Sequence, residues 1–199
     1  MRLIQWLKTK SPIKFRKRLV FRCLSQDLSE DYLNGVTKDI YIRRITTNDI
    51  DNDAWLLQHK FLLSNNLNEG HLGFVCVNVN TSECVGYFWI AIDKPPLNGI
   101  PKIPLNAAWF FNDFVREDYR SMGCQRLMIA YKLDYLKRYK DIEIYADVTS
   151  IKKGIPRNYQ NSGFVECGIY YILILGIRRF KYFNLTIFYW SKFNKVQVL

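Results

Sequence analysis

The sequence predicts an α+β fold in a single domain with a basic N-terminal arm. Three observations carry it. Short runs rich in β-branched and aromatic residues recur between turn signals. Segments of helical periodicity interrupt those runs. The 199 residues are 49% hydrophobic and 24% charged, a balance that suits one packed core of moderate size.

In chain order, "MRLIQWLK" predicts a short helix with Leu3, Ile4 and Leu7 on one side, and "RLVFRCL" (18–24) a strand. "SEDYLNG" (29–35) reads as a short helix stopped by Gly35. "DIYIRRI" (39–45) alternates as a strand does. "TTNDIDNDAWLLQHKFLLSNN" opens with cap-type residues and then places Trp55, Leu56, His59, Leu62 and Leu63 at helical spacing, so a helix is expected over 49–66. "GFVCVNV" (73–79) and "CVGYFWIAI" (84–92) flank "NTSE" and predict a hairpin. Residues 93–104 hold four of the six prolines and form a loop. A strand over 105–115, an amphipathic helix over 124–139 and a strand over 142–148 follow. "IPRNYQN" (155–161) is a short helix with Pro156 in its first turn, and the strand 164–175 begins after Gly163. "IYYILILGI" (169–177) and "YFNLTIFYW" (182–190) are too short to span a bilayer, which takes ~20 residues, and read as two buried antiparallel strands. The chain then divides into a basic N-terminal arm with additional elements, 1–38, and a domain over 39–199.

Charge is the strongest compositional signal. The formal net charge is +11 and the pI about 9.4. No acidic residue precedes Asp27 and none follows Glu166, while Lys8, Lys10, Arg16, Arg178, Arg179 and Lys192 are among the cations at the two ends. Anionic partners fit that balance: a polyphosphate, an acidic membrane surface or nucleic acid. Solvated ends that only aid solubility are the other reading. Five cysteines without a C-x-x-C pair, together with two histidines, argue against a disulfide framework or a metal site and fit a reducing cytoplasm. The N-terminus lacks the pattern of a signal peptide.

The chemistry concentrates in "VREDYRSMGCQRLM" (115–128), where a strand ends and a long helix starts. Free N–H groups at a helix N-terminus, with the helix dipole behind them, bind phosphate. Arg120 and Arg126 add positive charge beside that place, and Gly123 lets a bulky group approach the backbone. One strand and one turn later comes "NYQNSGF" (158–164). Together the two stretches resemble the GCN5-related N-acetyltransferase superfamily. Its acyl-CoA motif [R/Q]-x-x-G-x-[G/A] reads here Arg120-x-x-Gly123-x-Gln125, and its later Tyr-x-x-x-Gly-Phe reads Tyr159-x-x-x-Gly163-Phe164. The resemblance spans about residues 40–176 and includes the order of elements.

That resemblance implies a mixed, mostly antiparallel central sheet flanked by helices, acetyl-CoA, or another acyl-CoA, as co-substrate, a primary amine as acceptor and no metal. The backbone of Phe114 and Val115 would pair with the pantetheine arm. The loop Arg120, Ser121, Met122, Gly123, Cys124, Gln125, with Arg126, would hold the pyrophosphate. Tyr159 would protonate the departing thiolate. Gln125 departs from the pattern, and its side chain either crowds the pyrophosphate or donates its own amide hydrogen bond. For the base that takes the amine proton, Asp113 and Asp147 are the candidates on the strands beside the cleft; Glu143, a water relay or His59 are alternatives, with His59 read as a packed residue. Cys124 reads as a small loop residue rather than a nucleophile. The acceptor is read as a small polar amine such as an amino sugar or glycan precursor. The rival class is a non-catalytic basic module of the same fold that docks on anionic membrane or, less favoured, nucleic acid. A homodimer and a peripheral membrane location are compatible with either.

Overall fold

The computed structural model describes residues 13–23, 32, 34–36, 38–93, 107–139, 141–149, 154–176 and 184–191. Eight strands form one sheet: β1 (Ile13–Cys23), β2 (Ile40–Arg44), β3 (Leu72–Asn78), β4 (Cys84–Ile92), β5 (Ala107–Val115), β6 (Glu143–Thr149), β7 (Phe164–Gly176) and β8 (Asn184–Ser191). Five helices accompany them: α1 (Thr47–Asn52), α2 (Ala54–Leu57), α3 (Lys60–Asn68), α4 (Cys124–Leu136) and α5 (Gly154–Asn161). The strands lie in the order β2-β3-β4-β5-β6-β1-β7-β8. Every neighbouring pair is antiparallel except β5 and β6, which run parallel. The fold is therefore the mixed, mostly antiparallel sheet that the resemblance implies.

Both faces of the sheet are covered, and the sequence of β4 shows why it reads as one continuous apolar run. Alternate residues Phe88 and Ile90 pack in the core with Met128, Ile129 and Leu133 of α4. Their neighbours Tyr87, Trp89 and Ala91 pack on the other side with Ile50, Leu56 and Leu63 of α1, α2 and α3. Full burial of a Leu, Ile or Phe side chain of this kind contributes about 1.5–3 kcal/mol.

Two expectations change. First, residues 13–23 are not part of an arm beside the domain. β1 lies between β6 and β7, with Val20 opposite both Asp147 and Gly168. Its residues Val20 and Phe21 are fully buried. Second, the helix expected over 49–66 is three short helices. Asp53 has extended backbone (φ −91°, ψ 118°), and its Oδ1 accepts the N–H groups of Trp55 and Leu56. Its Oδ2 accepts the Cys84 N–H at the start of β4. One carboxylate thus ends α1, caps α2 and ties both to the sheet. His59 interrupts the chain again before α3.

The entry to α1 carries a capping box: Thr46 and Asp49 bond each other's backbone N–H. Arg43 also donates to both oxygens of Asp49, at 2.7 Å each. These bonds, the Arg43 guanidinium first, pull the Asp49 carboxyl down from 3.8 to about 2. Because the folded value lies below the unfolded one, the stabilisation is in place above pH ~4 and is lost as pH falls from there towards 2. Asp49→Asn is expected to cost about 1–2 kcal/mol at pH 6, a figure already reduced for solvent screening of Arg43. Urea unfolding against pH should show the gap between the two proteins closing below pH ~4; a gap that is constant with pH refutes the assignment.

The expected "MRLIQWLK" helix, most of "SEDYLNG", the proline-rich loop from 94 on, Lys8, Lys10 and the C-terminal cations from Arg178 on lie outside the described residues. The described parts of the 169–177 and 182–190 segments, in β7 and β8, are antiparallel neighbours, Tyr170 facing Trp190. The burial expected of them lies outside the described side chains. No described helix is long and apolar enough to cross a membrane.

Candidate active site

The site begins with two irregularities in β5. On the β4 side, Phe111 faces Trp89 and Phe114 faces Tyr87, so three steps along β5 match two along β4. The extra residue makes a bulge at Asn112–Asp113. Asn112 takes φ +50°, a left-handed conformation that asparagine tolerates better than most residues. On the other side, β5 pairs with β6 only from Ala107–Glu143 to Phe110–Ala146. Beyond Phe110 the two parallel strands part. The backbone of 111–115 then has no strand partner on that side, and a cleft opens between the strands.

The cleft has two lobes. One of about 340 Å³ lies against Val115, Tyr119, Arg120, Ser121, Gly123, Cys124, Arg126 and Asn158. The other, about 410 Å³, lies against Arg18, His59, Tyr87, Phe111, Asn112, Asp147 and Tyr159. Asp113, Phe114, Gln125 and Ile155 line both. All the residues expected to hold the donor therefore gather round the first lobe, except Met122, whose side chain is 40% exposed outside it.

The first lobe is positive for structural reasons. α4 is 13 residues long and has no side-chain cap at its N-terminus. Its first intrahelical bond runs from Leu127 N–H to Gly123 O, so the N–H groups of Cys124, Gln125 and Arg126 have no partner within the helix. The Arg120 guanidinium is held by Glu117 Oε1 at 2.7 Å and by Val115 O at 3.3 Å. Arg126 donates to Tyr32 O at 3.4 Å. Gln125 accepts from Asn158 Nδ2 at 3.0 Å, which draws its amide oxygen towards α5. The Cys124 thiol is buried and donates to Tyr119 O, and burial pushes its pKa up. A neutral thiol facing a carbonyl is a packed group and a poor nucleophile.

Gly123 is required for a different reason from the one expected. It adopts φ +81°, and a Cβ there would lie 3.0 Å from Val36 Cα and Cγ2. Its missing side chain makes room for the chain's own backbone at Val36, not for a ligand.

In the second lobe the candidates separate. Tyr159 is buried and donates to Asp113 Oδ2 at 3.1 Å. Burial, then the Asp113 charge, pushes the phenol well above its ordinary value, so it stays protonated at neutral pH. Asp113 Oδ2 also receives Lys132 Nζ at 2.5 Å. Asp147 Oδ1 accepts from Trp109 Nε1 at 3.0 Å, and Oδ2 is paired with Arg18. Both proposed bases thus carry tightly held donors. Glu143 bonds Arg22 and Tyr145 and is not among the lining residues. His59 is a lining residue. Its ring sits 5.3 Å from Phe114, 5.6 Å from Tyr87 and 5.7 Å from Trp55, and its nitrogens have no hydrogen bond among the described residues.

No family model matches the chain, and no curated protein matches its sequence. Solved structures do match. A conserved protein of unknown function from Staphylococcus epidermidis superposes with a TM-score of 0.56 at 14% identity, over 88% of this chain and 68% of its own. A GCN5-related N-acetyltransferase from Sphaerobacter thermophilus gives 0.54 at 16%, over 86% and 54%. A GCN5-related glucosamine N-acetyltransferase region of a fungal multi-domain β-N-acetylglucosaminidase gives 0.58 at 12%, over 86% and 22%. The fold is that of the GCN5-related N-acetyltransferases. The chain spans about half the length of the Sphaerobacter protein and under a quarter of the fungal one.

Within this acetyltransferase fold, the two motifs quoted from the sequence meet across one cleft, because α4 and α5 pack against the same sheet face. Three residues in and around it had no motif to mark them. His59 reads as one more member of an apolar helical face, and only the break before α3 sets it at the cleft. Arg18 sits on a strand that the chain order separates from the site. Lys132, a charged residue of α4, is fully buried. Its signal was spacing: Met128, Lys132 and Leu136 follow each other at i+4 on the buried stripe.

Proposed function

We propose that the chain is an acyl-CoA-dependent N-acyltransferase that moves an acetyl group from acetyl-CoA to a small primary amine. One observation carries the proposal: the unpaired edge of β5, from Phe111 to Val115, lies in one cleft with the uncapped N-terminus of α4. An extended amide-bearing arm ending in a pyrophosphate fits that pairing of a β edge with an anion site.

The donor supplies a thioester carbonyl. Backbone groups of Phe114 and Val115 pair with its pantetheine arm. N–H groups at the start of α4, with Arg120 and Arg126 beside them, hold its pyrophosphate. His59 accepts the proton of the amine as its nitrogen bonds to the carbonyl carbon. A backbone N–H on the open edge of β5 stabilises the oxyanion. As the carbon–sulfur bond breaks, Tyr159 gives its proton to the sulfur. The second lobe, with Tyr87 and Phe111 as apolar walls and Asn112 and Asp147 as polar groups, suits an acceptor of the amino-sugar class.

Calorimetry with acetyl-CoA tests the donor reading. Micromolar binding is expected to wild type, and about tenfold weaker binding to Gln125→Glu, which places a negative charge at the α4 N-terminus. Absence of binding to wild type overturns the proposal. With an amino-sugar panel and free-thiol detection, His59→Gln is expected to lower kcat/KM about 10²-fold while acetyl-CoA affinity is kept. Unchanged kcat/KM removes His59 as the base and leaves the donor reading standing.

A further inference from the structure

Lys132 is fully buried on α4, a residue type that is seldom buried without a task. Its Nζ lies 4.5 Å from the centre of the Phe110 ring and 5.4 Å from that of Phe88. Its anionic partner among the described residues is Asp113 Oδ2 at 2.5 Å, the same oxygen that receives the Tyr159 hydroxyl at 3.1 Å. Asp113 Oδ1 is buried with no partner. The three groups form a continuous hydrogen-bonded row from the interior, through the β5 bulge, to the cleft wall.

The orientation of the Tyr159 proton makes the row informative. The phenol has one proton, and that proton is spent on Asp113. Once Tyr159 passes a proton to sulfur, a phenolate would stand beside the Asp113 carboxylate in a poorly solvated place. Two adjacent anions there are strongly disfavoured.

We propose that Lys132, Asp113 and Tyr159 form a proton relay: Lys132 resupplies, through Asp113, the proton that Tyr159 gives to the departing thiolate. The balance is simple. The sulfur gains the Tyr159 proton, Tyr159 takes one from the Asp113 side, and the Lys132 ammonium becomes a neutral amine. Asp113 ends as it began, a carboxylate, and Lys132 recovers its proton from solvent after the product leaves. Lys132 and Asp113 act through Tyr159 and are positioning residues. Burial favours the neutral amine of Lys132 and lowers its pKa, against the pull of Asp113 and, more weakly, of Cys76 on β3. Those two and Tyr159 are the titratable groups that the described structure sets against it; Phe88 and Phe110 supply the remaining walls.

This inference rests on the acyltransferase reading, and the experiment separates the two. Lys132→Met alone strands Asp113 as a buried charge and is expected to fold poorly. The neutral pair Asp113→Asn/Lys132→Met removes that difficulty. It is expected to unfold in urea at a midpoint close to wild type and to keep acetyl-CoA affinity, while kcat falls about tenfold to a hundredfold. If the ion pair only holds the bulge in place, kcat recovers together with stability, and the relay is overturned. A second readout needs no turnover. In protein labelled at lysine Cε, the NMR signal missing from the double variant should titrate below the ordinary lysine range. A titration at the ordinary value overturns the relay. Failure of wild type to bind acetyl-CoA would instead remove the reading beneath it.

Discussion

Tyr159→Phe is expected to slow acyl transfer about 10²-fold, with stability within about 1 kcal/mol of wild type. The two effects separate because the ring and the hydroxyl do different things. The ring stacks on Phe21 at 6.0 Å and meets Phe164 edge-on at 5.1 Å, and phenylalanine keeps both contacts. The hydroxyl makes one hydrogen bond, to an Asp113 oxygen that retains Lys132. What disappears is one of the two phenols that line the second lobe, the one that is bonded to Asp113; Tyr87 remains. Free-thiol release with acetyl-CoA and an amine acceptor measures the first effect, and urea unfolding the second. Unchanged kcat in a folded variant would remove Tyr159 from the chemistry.

Gly123→Ala is expected to cost about 2–5 kcal/mol. Two costs add. A left-handed conformation costs an L-residue roughly 1–2 kcal/mol. The new Cβ would sit 3.0 Å from Val36 Cα, and a backbone atom has no rotamer by which to withdraw. Overpacking of that kind costs typically 1–3 kcal/mol. The urea midpoint should fall while acetyl-CoA binding to the remaining folded protein changes little, since the Cβ points at Val36. A variant within about 0.5 kcal/mol of wild type would show that this segment yields, and the glycine would then need another explanation.

The central elements were legible because their signals are local. Alternation in 39–45, the turn between 79 and 84 and the i+4 stripe of α4 each report on a few neighbouring residues. The donor side of the site was legible for the same reason: the arginine, the glycine and the helix start lie within one loop. Other features were hidden because their causes are distant in sequence. Asp53 breaks the expected long helix by capping α2 while reaching Cys84 on β4. β1 has no sequence neighbour that reveals its place between β6 and β7. Asp113 and Asp147 read alike as strand carboxylates, and only packing shows that one holds Lys132 and Tyr159 and the other Arg18 and Trp109.

The sequence by itself determined the alternation of strands and helices, the motif pair and the positive charge at the start of α4, because periodicity, turn chemistry and the helix dipole act over a few residues. Tertiary structure alone decided that the glycine serves Val36, that His59 faces the cleft and that Asp113 joins Lys132 to Tyr159. Those outcomes depend on which surfaces meet, and contacts between segments dozens of residues apart leave no local trace in the chain.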